Sequence, residues 1–246
     1  MKERVALVTG GTGGIGTEIC KALANTGCKV AATWLKGVDD GEGWLAKRKE
    51  EGFNFMIAEG DVSKFDSAVA LVKNVEAQLG PIDILVNGAG ITKDGFLHKM
   101  KPEQWDNVLR TNLDSVFNVT RQVIDGMRQR GFGRIINISS VNGQKGQIGQ
   151  ANYCAAKAGM HGFTMALAQE VASKGITVNT ISPGYIATNM IMAIKEEIRN
   201  EILKHIPVGR FGQPEEIAWT ITFLADEKSG FITGANIAIN GGMYMG

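Results

Sequence analysis

Val5-Ala6-Leu7-Val8-Thr9-Gly10-Gly11-Thr12-Gly13-Gly14-Ile15-Gly16 is the stretch on which the reading of the chain turns. Five residues of strand-forming type run into a segment where glycine fills five of seven positions, and a helical pattern continues from there to about Asn25. Gly11, Gly13 and Gly16 fit G-x-G-x-x-G; Gly10, Gly14 and Gly16 fit G-x-x-x-G-x-G. A plain tight turn would also be rich in glycine. Its position between a strand and a helix favours a second reading, in which the glycines let the backbone approach a pyrophosphate resting on the helix N-terminus. The stretch therefore predicts a dinucleotide site built from Gly10, Thr12, Gly13, Gly14, Ile15 and Gly16.

Working outward, short apolar runs recur at Val5–Thr9, Lys29–Trp34, 53–59, 82–87, 134–139, 176–182 and 236–240, with helical stretches between the first six. Alternation of this kind means βαβ units and a sheet covered on both faces. No linker or low-complexity run interrupts it, so 246 residues are read as one domain (1–246). The expected fold class is α/β: a doubly wound, seven-stranded, mostly parallel sheet with helices on both faces. A formal net charge of +1 offers no general attraction to nucleic acid or an acidic membrane. Cys20, Cys28 and Cys154, with His98, His161 and His205, show neither disulfide nor metal-ligand spacing, and no metal is expected. No run approaches ~18 apolar residues and no leader pattern opens the chain, so a soluble, cytoplasmic protein is expected.

The dinucleotide type depends on the end of the second strand, where an acid about twenty residues past the glycines holds a ribose 2′-hydroxyl in NAD enzymes. That place is Thr33-Trp34-Leu35, without a carboxylate, and Lys36 follows. The missing acid predicts NADP, with Lys36 against its 2′-phosphate. Glu59-Gly60-Asp61-Val62 closes the third strand; Asp61 suits either a hydrogen bond to the adenine amine or a helix cap. Asn87-Gly88-Ala89-Gly90 ends the fourth at the edge where open α/β sheets bind ligands.

A helix expected over residues 102–130 has Pro102 in its first turn and Gly131 at its end. Asn112 falls on its apolar stripe and turns inward, where an amide must find partners. That favours either catalysis or a structural bridge. Farther on, Ser140 follows the fifth strand, thirteen residues before Tyr153. Tyr153 and Lys157 lie four apart, on one face of a helix. Tyr-x-x-x-Lys alone is weak. With a close ammonium favouring the phenolate, and with Ser140, it makes a proton-delivery set for a carbonyl. Ala155, Ala156, Ala158, Gly159 and Gly162 form a small-residue face suited to a helix–helix subunit interface. Residues 189–205 read as one amphipathic helix within a substrate lid at about 188–212.

Taken in this order, the glycine run at 9–16, Asn87-Gly88-Ala89-Gly90, Asn112, Ser140, Tyr153-x-x-x-Lys157 and Pro183-Gly184 resemble the short-chain dehydrogenase/reductase family along essentially the whole chain. One departure is Gly88, where the family commonly has a second asparagine. The resemblance implies a Rossmann-type domain. It also implies Tyr153 as proton donor, Ser140 on the carbonyl oxygen, Lys157 on the nicotinamide ribose and Asn112 holding a relay water. Ile186 and Thr188, after Pro183-Gly184, would meet the carboxamide.

More closely, residues 139–147, Tyr153, residues 161–171 and the Gly-Gly-Met-Tyr-Met-Gly end are similar to the acetoacetyl-CoA reductases of polyhydroxybutyrate synthesis. That implies NADPH-dependent reduction of acetoacetyl-CoA to (R)-3-hydroxybutanoyl-CoA in a homotetramer. Asp94, Gln147, Ile148, Gln150, Tyr185 and Lys195 would border the acyl-CoA. Lys195 stands where close relatives carry arginine, and a lysine meets phosphate as a point charge without the bidentate fork. A reductase of 3-oxoacyl thioesters on acyl carrier protein would share the tetrad, with Arg130 and Lys174 facing the acidic carrier. A non-catalytic NADP-sensing regulator would have lost the tyrosine or the lysine.

Overall fold

The computed structural model describes residues 1 and 3–245, Met190 through its backbone alone. Seven strands, β1 (Val5–Thr9), β2 (Lys29–Trp34), β3 (Met56–Glu59), β4 (Ile84–Asn87), β5 (Gly133–Ile138), β6 (Ile176–Pro183) and β7 (Asn236–Ile239), form one sheet in the order β3-β2-β1-β4-β5-β6-β7. Every pairing is parallel. β1, β4, β5 and β6 are buried along their whole length, and β1 and β4 read as nearly continuous apolar runs while β5 and β6 bury polar residues among their aliphatic ones.

Alternate side chains supply two cores. On one face Ala6, Val8, Val86 and Ile136 pack with Ile19 and Leu23 of α1 (Gly14–Asn25) and Ile217, Ile221 and Leu224 of α10 (Pro214–Ala225). On the other, Leu7, Leu85, Ile135 and Val178 meet α3 (Phe65–Leu79), α5 (Ser115–Arg130) and α7 (Ala151–Val171). Strand order reverses between β1 and β4, whose ends Thr9 and Asn87 are paired in register. A crevice forms at such a switch point.

Three expectations need correction. β3 begins at Met56 rather than 53: Phe53 and Phe55 stack on each other at 5.3 Å, and Phe55 on Trp44 of α2 (Gly41–Glu50) at 5.3 Å. Those aromatic contacts hold the segment off the ladder. The helix expected over 102–130 is α4 (Pro102–Leu109) and α5, joined by a π-helical turn at Arg110–Asp114. Periodicity alone does not register the one extra residue of such a turn. The helix expected over 189–205 is two, α8 (Asn189–Met192) and α9 (Glu196–Lys204), broken at residues 193–195. The two ends of this segment are clipped together by a bridge between Ile186 and Gly212, with Gly212 N–H donating to Tyr185 O at 3.0 Å and Ala187 N–H to Gly212 O at 2.8 Å.

Candidate active site

The glycine turn sits at the carboxyl end of β1, against the end of β4. Gly10 has φ +64°, and a Cβ on it would come within 3.0 Å of Ala89 Cα. A Cβ on Gly16 would collide with the Gly10 carbonyl, so both glycines are required by backbone contact. Gly13 N–H donates to Gly10 O at 3.1 Å, and no side chain caps α1. Its first amides are therefore left for an anion. Gly88 and Ala89 N–H both donate to Thr9 Oγ1, at 3.0 and 3.2 Å.

Two buried oxygens have no hydrogen-bond partner here: Thr12 Oγ1 and Asn87 Oδ1. Asn87 is 2% exposed, and its amide nitrogen is already engaged with Asn137 at 2.9 Å and Thr120 at 3.2 Å. Orphaned polar atoms beside an uncapped helix fit a polar ligand in the crevice. Thr188 reaches this end too, since a Cβ on Gly14 would lie 3.2 Å from its Cγ2. Pro183 accepts from Val141 N–H at 2.8 Å, Gly184 packs against Asn240, and Ile186 is buried behind them.

The second cluster lies across the same crevice. β5 ends just before Ser140, whose Oγ accepts from Asn142 N–H at 3.1 Å in the short helix α6 (Asn142–Lys145). Lys157 of α7 is 4% exposed and donates to Ile138 O at 2.7 Å, with its Nζ 5.6 Å from the Tyr153 ring centroid. A Cβ on Gly90 would lie 3.3 Å from Asn112 Oδ1 and 3.5 Å from Lys157 Nζ. Gly90, Asn112 and Lys157 therefore meet at one point. Burial pushes the Lys157 ammonium down to about 8. Burial also pushes the Tyr153 phenol above its ordinary value, while the neighbouring Ser140 hydroxyl pulls it back. The acidification expected from Lys157 does not contribute; desolvation sets the direction, and the phenol holds its proton at neutral pH.

Asn112 is fully buried, its Oδ1 accepting from Ile91 N–H at 2.8 Å and its Nδ2 donating to Ile91 O at 2.9 Å. Its side chain is a structural bridge. The π-helical turn around it perturbs the backbone ladder at this position, as such turns often do at functional sites.

Of the residues expected at the acyl group, Asp94 and Gln150 are joined at 3.0 Å, and Asn142 links Gln150 (2.9 Å) to Ser140. Burial raises the Tyr185 phenol, and the Asp94 carboxylate adds to both Tyr185 and Tyr153, so these groups line one mouth. Gln147 shapes the loop by accepting from Gln150 N–H at 3.1 Å, while Ile148 is 81% exposed at its tip. Lys195 is exposed at the start of α9 and makes no ion pair with the described residues. The structure does not bring it to the Asp94–Gln150 pair. Asp61 accepts from Ser63 N–H (3.1 Å) and Ser63 Oγ (2.6 Å) and pairs with Lys64 at 3.3 Å, a turn before α3. Gly60 donates to Trp34 O at 3.1 Å, Val62 is buried beneath Asn118, and Lys36 is exposed.

Sequence reasoning missed two supports. Ser139 Oγ donates to the Lys157 carbonyl at 2.8 Å and lies 2.9 Å from His161 Nε2. Asn152 Nδ2 donates to Lys93 O at 3.0 Å and Gln104 O at 3.1 Å, tying the start of α7 to the loop after β4. Neither pairing has a spacing signal, because each partner lies far along the chain.

The model of the short chain dehydrogenase family matches residues 4–199. This chain belongs to the short-chain dehydrogenase family. It is 59% identical over 243 residues to an acetoacetyl-CoA reductase of Allochromatium vinosum, covering 98% of this chain and 99% of that one. An acetoacetyl-CoA reductase of Cupriavidus necator is 55% identical over the full length of both chains. A nodulation protein G of Azospirillum brasilense is 56% identical, with 99% of each covered. Family membership makes the chain an oxidoreductase acting on a CH–OH group and its carbonyl counterpart, with a nicotinamide dinucleotide as cofactor.

Proposed function

We propose that the chain reduces acetoacetyl-CoA at C3 to (R)-3-hydroxybutanoyl-CoA, as a single-domain subunit of a cytoplasmic homotetramer. The observation that carries the reading is the convergence of Ser140, Tyr153 and Lys157 across the crevice from the glycine turn, with Asp94, Gln150 and Tyr185 at its mouth. The likeness to the acetoacetyl-CoA reductases of Allochromatium and Cupriavidus supports the thioester.

When bound, the dinucleotide supplies a hydride to C3. Ser140 Oγ holds the substrate carbonyl oxygen as charge develops on it. Tyr153, kept protonated by burial, delivers its proton to that oxygen. Lys157 stands below the tyrosine to grip the ribose hydroxyls, and the Asn112 segment keeps a water within reach of it. Ile186 and Thr188 orient the carboxamide, and the flap between them and Gly212 covers the acyl chain. The preference for NADPH is supported by the missing acid at Thr33-Trp34-Leu35, with Lys36 placed to meet the 2′-phosphate.

Three free cysteines among the described residues suit a reducing compartment. Assembly is supported by the exposed Ala155, Ala158 and Gly162 of α7, beside Phe117 at 51% and Met165 at 53% exposure.

The test is Tyr153→Phe, assayed with acetoacetyl-CoA and with the acetoacetyl thioester of acyl carrier protein. The variant should bind the dinucleotide normally and lose about 10²–10⁴-fold in kcat on either thioester. Near-normal turnover would remove Tyr153 from the chemistry. In the wild type, a higher kcat/KM on the carrier-protein thioester would replace CoA as the handle.

A further inference from the structure

The end of β5 is fastened to α7 at two points, both on Lys157. Its Nζ donates to Ile138 O at 2.7 Å, and its own carbonyl accepts from Ser139 Oγ at 2.8 Å. Ser139 N–H donates to Ile181 O at 2.8 Å, so β6 fixes the same strand end from the other side. Ser140 follows Ser139 directly, and Tyr153 stands one turn before Lys157 on α7. The Ser139 hydroxyl thus helps to set the spacing of Ser140 from Tyr153 across the crevice. The fit is close: a Cβ on Gly143 of α6 would lie 2.9 Å from the Lys157 carbonyl carbon.

A serine hydroxyl has one proton, and that of Ser139 is committed to a carbonyl, which can only accept. Toward any other partner Ser139 Oγ is an acceptor. His161, one turn past Lys157 on the same helix face, brings its Nε2 to 2.9 Å from that oxygen. Ser182 Oγ lies 3.4 Å from the same nitrogen, and its proton is on Asn236 Oδ1 at 2.7 Å, so it too can only accept. Nε2 therefore carries a hydrogen. Burial holds the His161 imidazolium below its ordinary range, and the ring is neutral at pH 7 with Nδ1 bare. With Ser139 and Ser182 both buried, the imidazole is the donor that both oxygens face. A hydroxyl that accepts from one side donates more strongly on the other, and its rotamer is fixed.

We propose that His161 is a positioning residue for carbonyl reduction: its Nε2–H holds the Ser139 hydroxyl on the Lys157 carbonyl and so keeps Ser140 in register with Tyr153 and Lys157. The inference rests on those three residues being the reducing centre. His161 transfers no proton in this role; it acts through Ser139. Small displacements matter at such a centre, where a misplacement of about 1 Å costs on the order of 10²-fold in rate.

The experiment measures NADPH-dependent reduction of acetoacetyl-CoA by the wild type, His161→Leu, His161→Gln, Ser139→Ala and the double variant His161→Leu with Ser139→Ala, and Kd for NADPH by nicotinamide fluorescence. Glutamine offers an N–H at the reach of Nε2; leucine removes it. His161→Leu should lose on the order of tenfold in kcat, with KM and the NADPH Kd within about twofold of wild type. His161→Gln should recover most of that loss. Because the effect passes through Ser139, the double variant should be no slower than Ser139→Ala alone. Wild-type kcat in His161→Leu, a glutamine variant as slow as the leucine one, or losses that multiply in the double variant would each overturn the proposal. Methionine takes the place of leucine if that variant does not fold, and the comparison with glutamine decides even without the Ser139→Ala background. A wild type inert toward acetoacetyl-CoA overturns the reading of the reducing centre and this proposal with it, a result distinct from an active enzyme indifferent to residue 161.

Discussion

Replacing Lys157 by methionine should change how stability depends on pH, in a direction fixed by burial. The side chain is 4% exposed, and its ammonium is brought from the usual 10.5 to about 8 by desolvation. That gap corresponds to about 3 kcal/mol. Below pH 8 the amine is charged in both folded and unfolded chains, and the fold carries the full burial penalty. Between pH 8 and 10.5 the unfolded chain holds the proton that the folded chain has released, so stability rises with pH. Above 10.5 the penalty is gone. Methionine keeps the aliphatic stem and has no such dependence. Urea unfolding of the ligand-free wild type and variant at intervals from pH 7 to 10 isolates the effect, because other groups cancel in the difference. The gap should move toward the wild type by about 2–3 kcal/mol over that range. A gap constant across pH would refute the claim that a buried ammonium is held at the catalytic centre. In the wild type, kcat/KM for reduction should fall as pH passes about 8, since it reports the free enzyme's ionisations.

Asn112→Ala strands the Ile91 N–H and C=O, and the urea midpoint should fall by an amount equivalent to about 2 kcal/mol. An unchanged midpoint would show that water replaces the amide without cost. Phe117→Asp puts a charge on the exposed apolar face of α5, where Phe117 stacks on Phe65 at 6.1 Å. Sedimentation velocity should then find species smaller than the proposed homotetramer; an unchanged assembly would exclude this face from the interface.

Most of the sheet was legible because its central strands are buried on both faces and concentrate Val, Ile and Leu in short runs separated by helical stretches. The glycine turn was legible because Gly10 and Gly16 answer to backbone contacts that any side chain would violate. What stayed hidden involves partners distant along the chain or small insertions in a regular pattern. Asn112 was seen to point inward, but nothing in its helix names Ile91 as the partner. The π-helical turn adds a residue without disturbing the apolar stripe enough to betray it.

The bridge between Ile186 and Gly212 has a consequence for how this scaffold diversifies. Because the neck is fastened by backbone groups, the entropic cost of closing the segment is met once and grows slowly with length, by about 0.6 kcal/mol per doubling. The stretch between behaves as an exchangeable cassette. It can be lengthened, shortened or rewritten around the break at residues 193–195 while the sheet, the turn and the tyrosine keep their places. Substrate range is thus free to drift without renegotiating the fold.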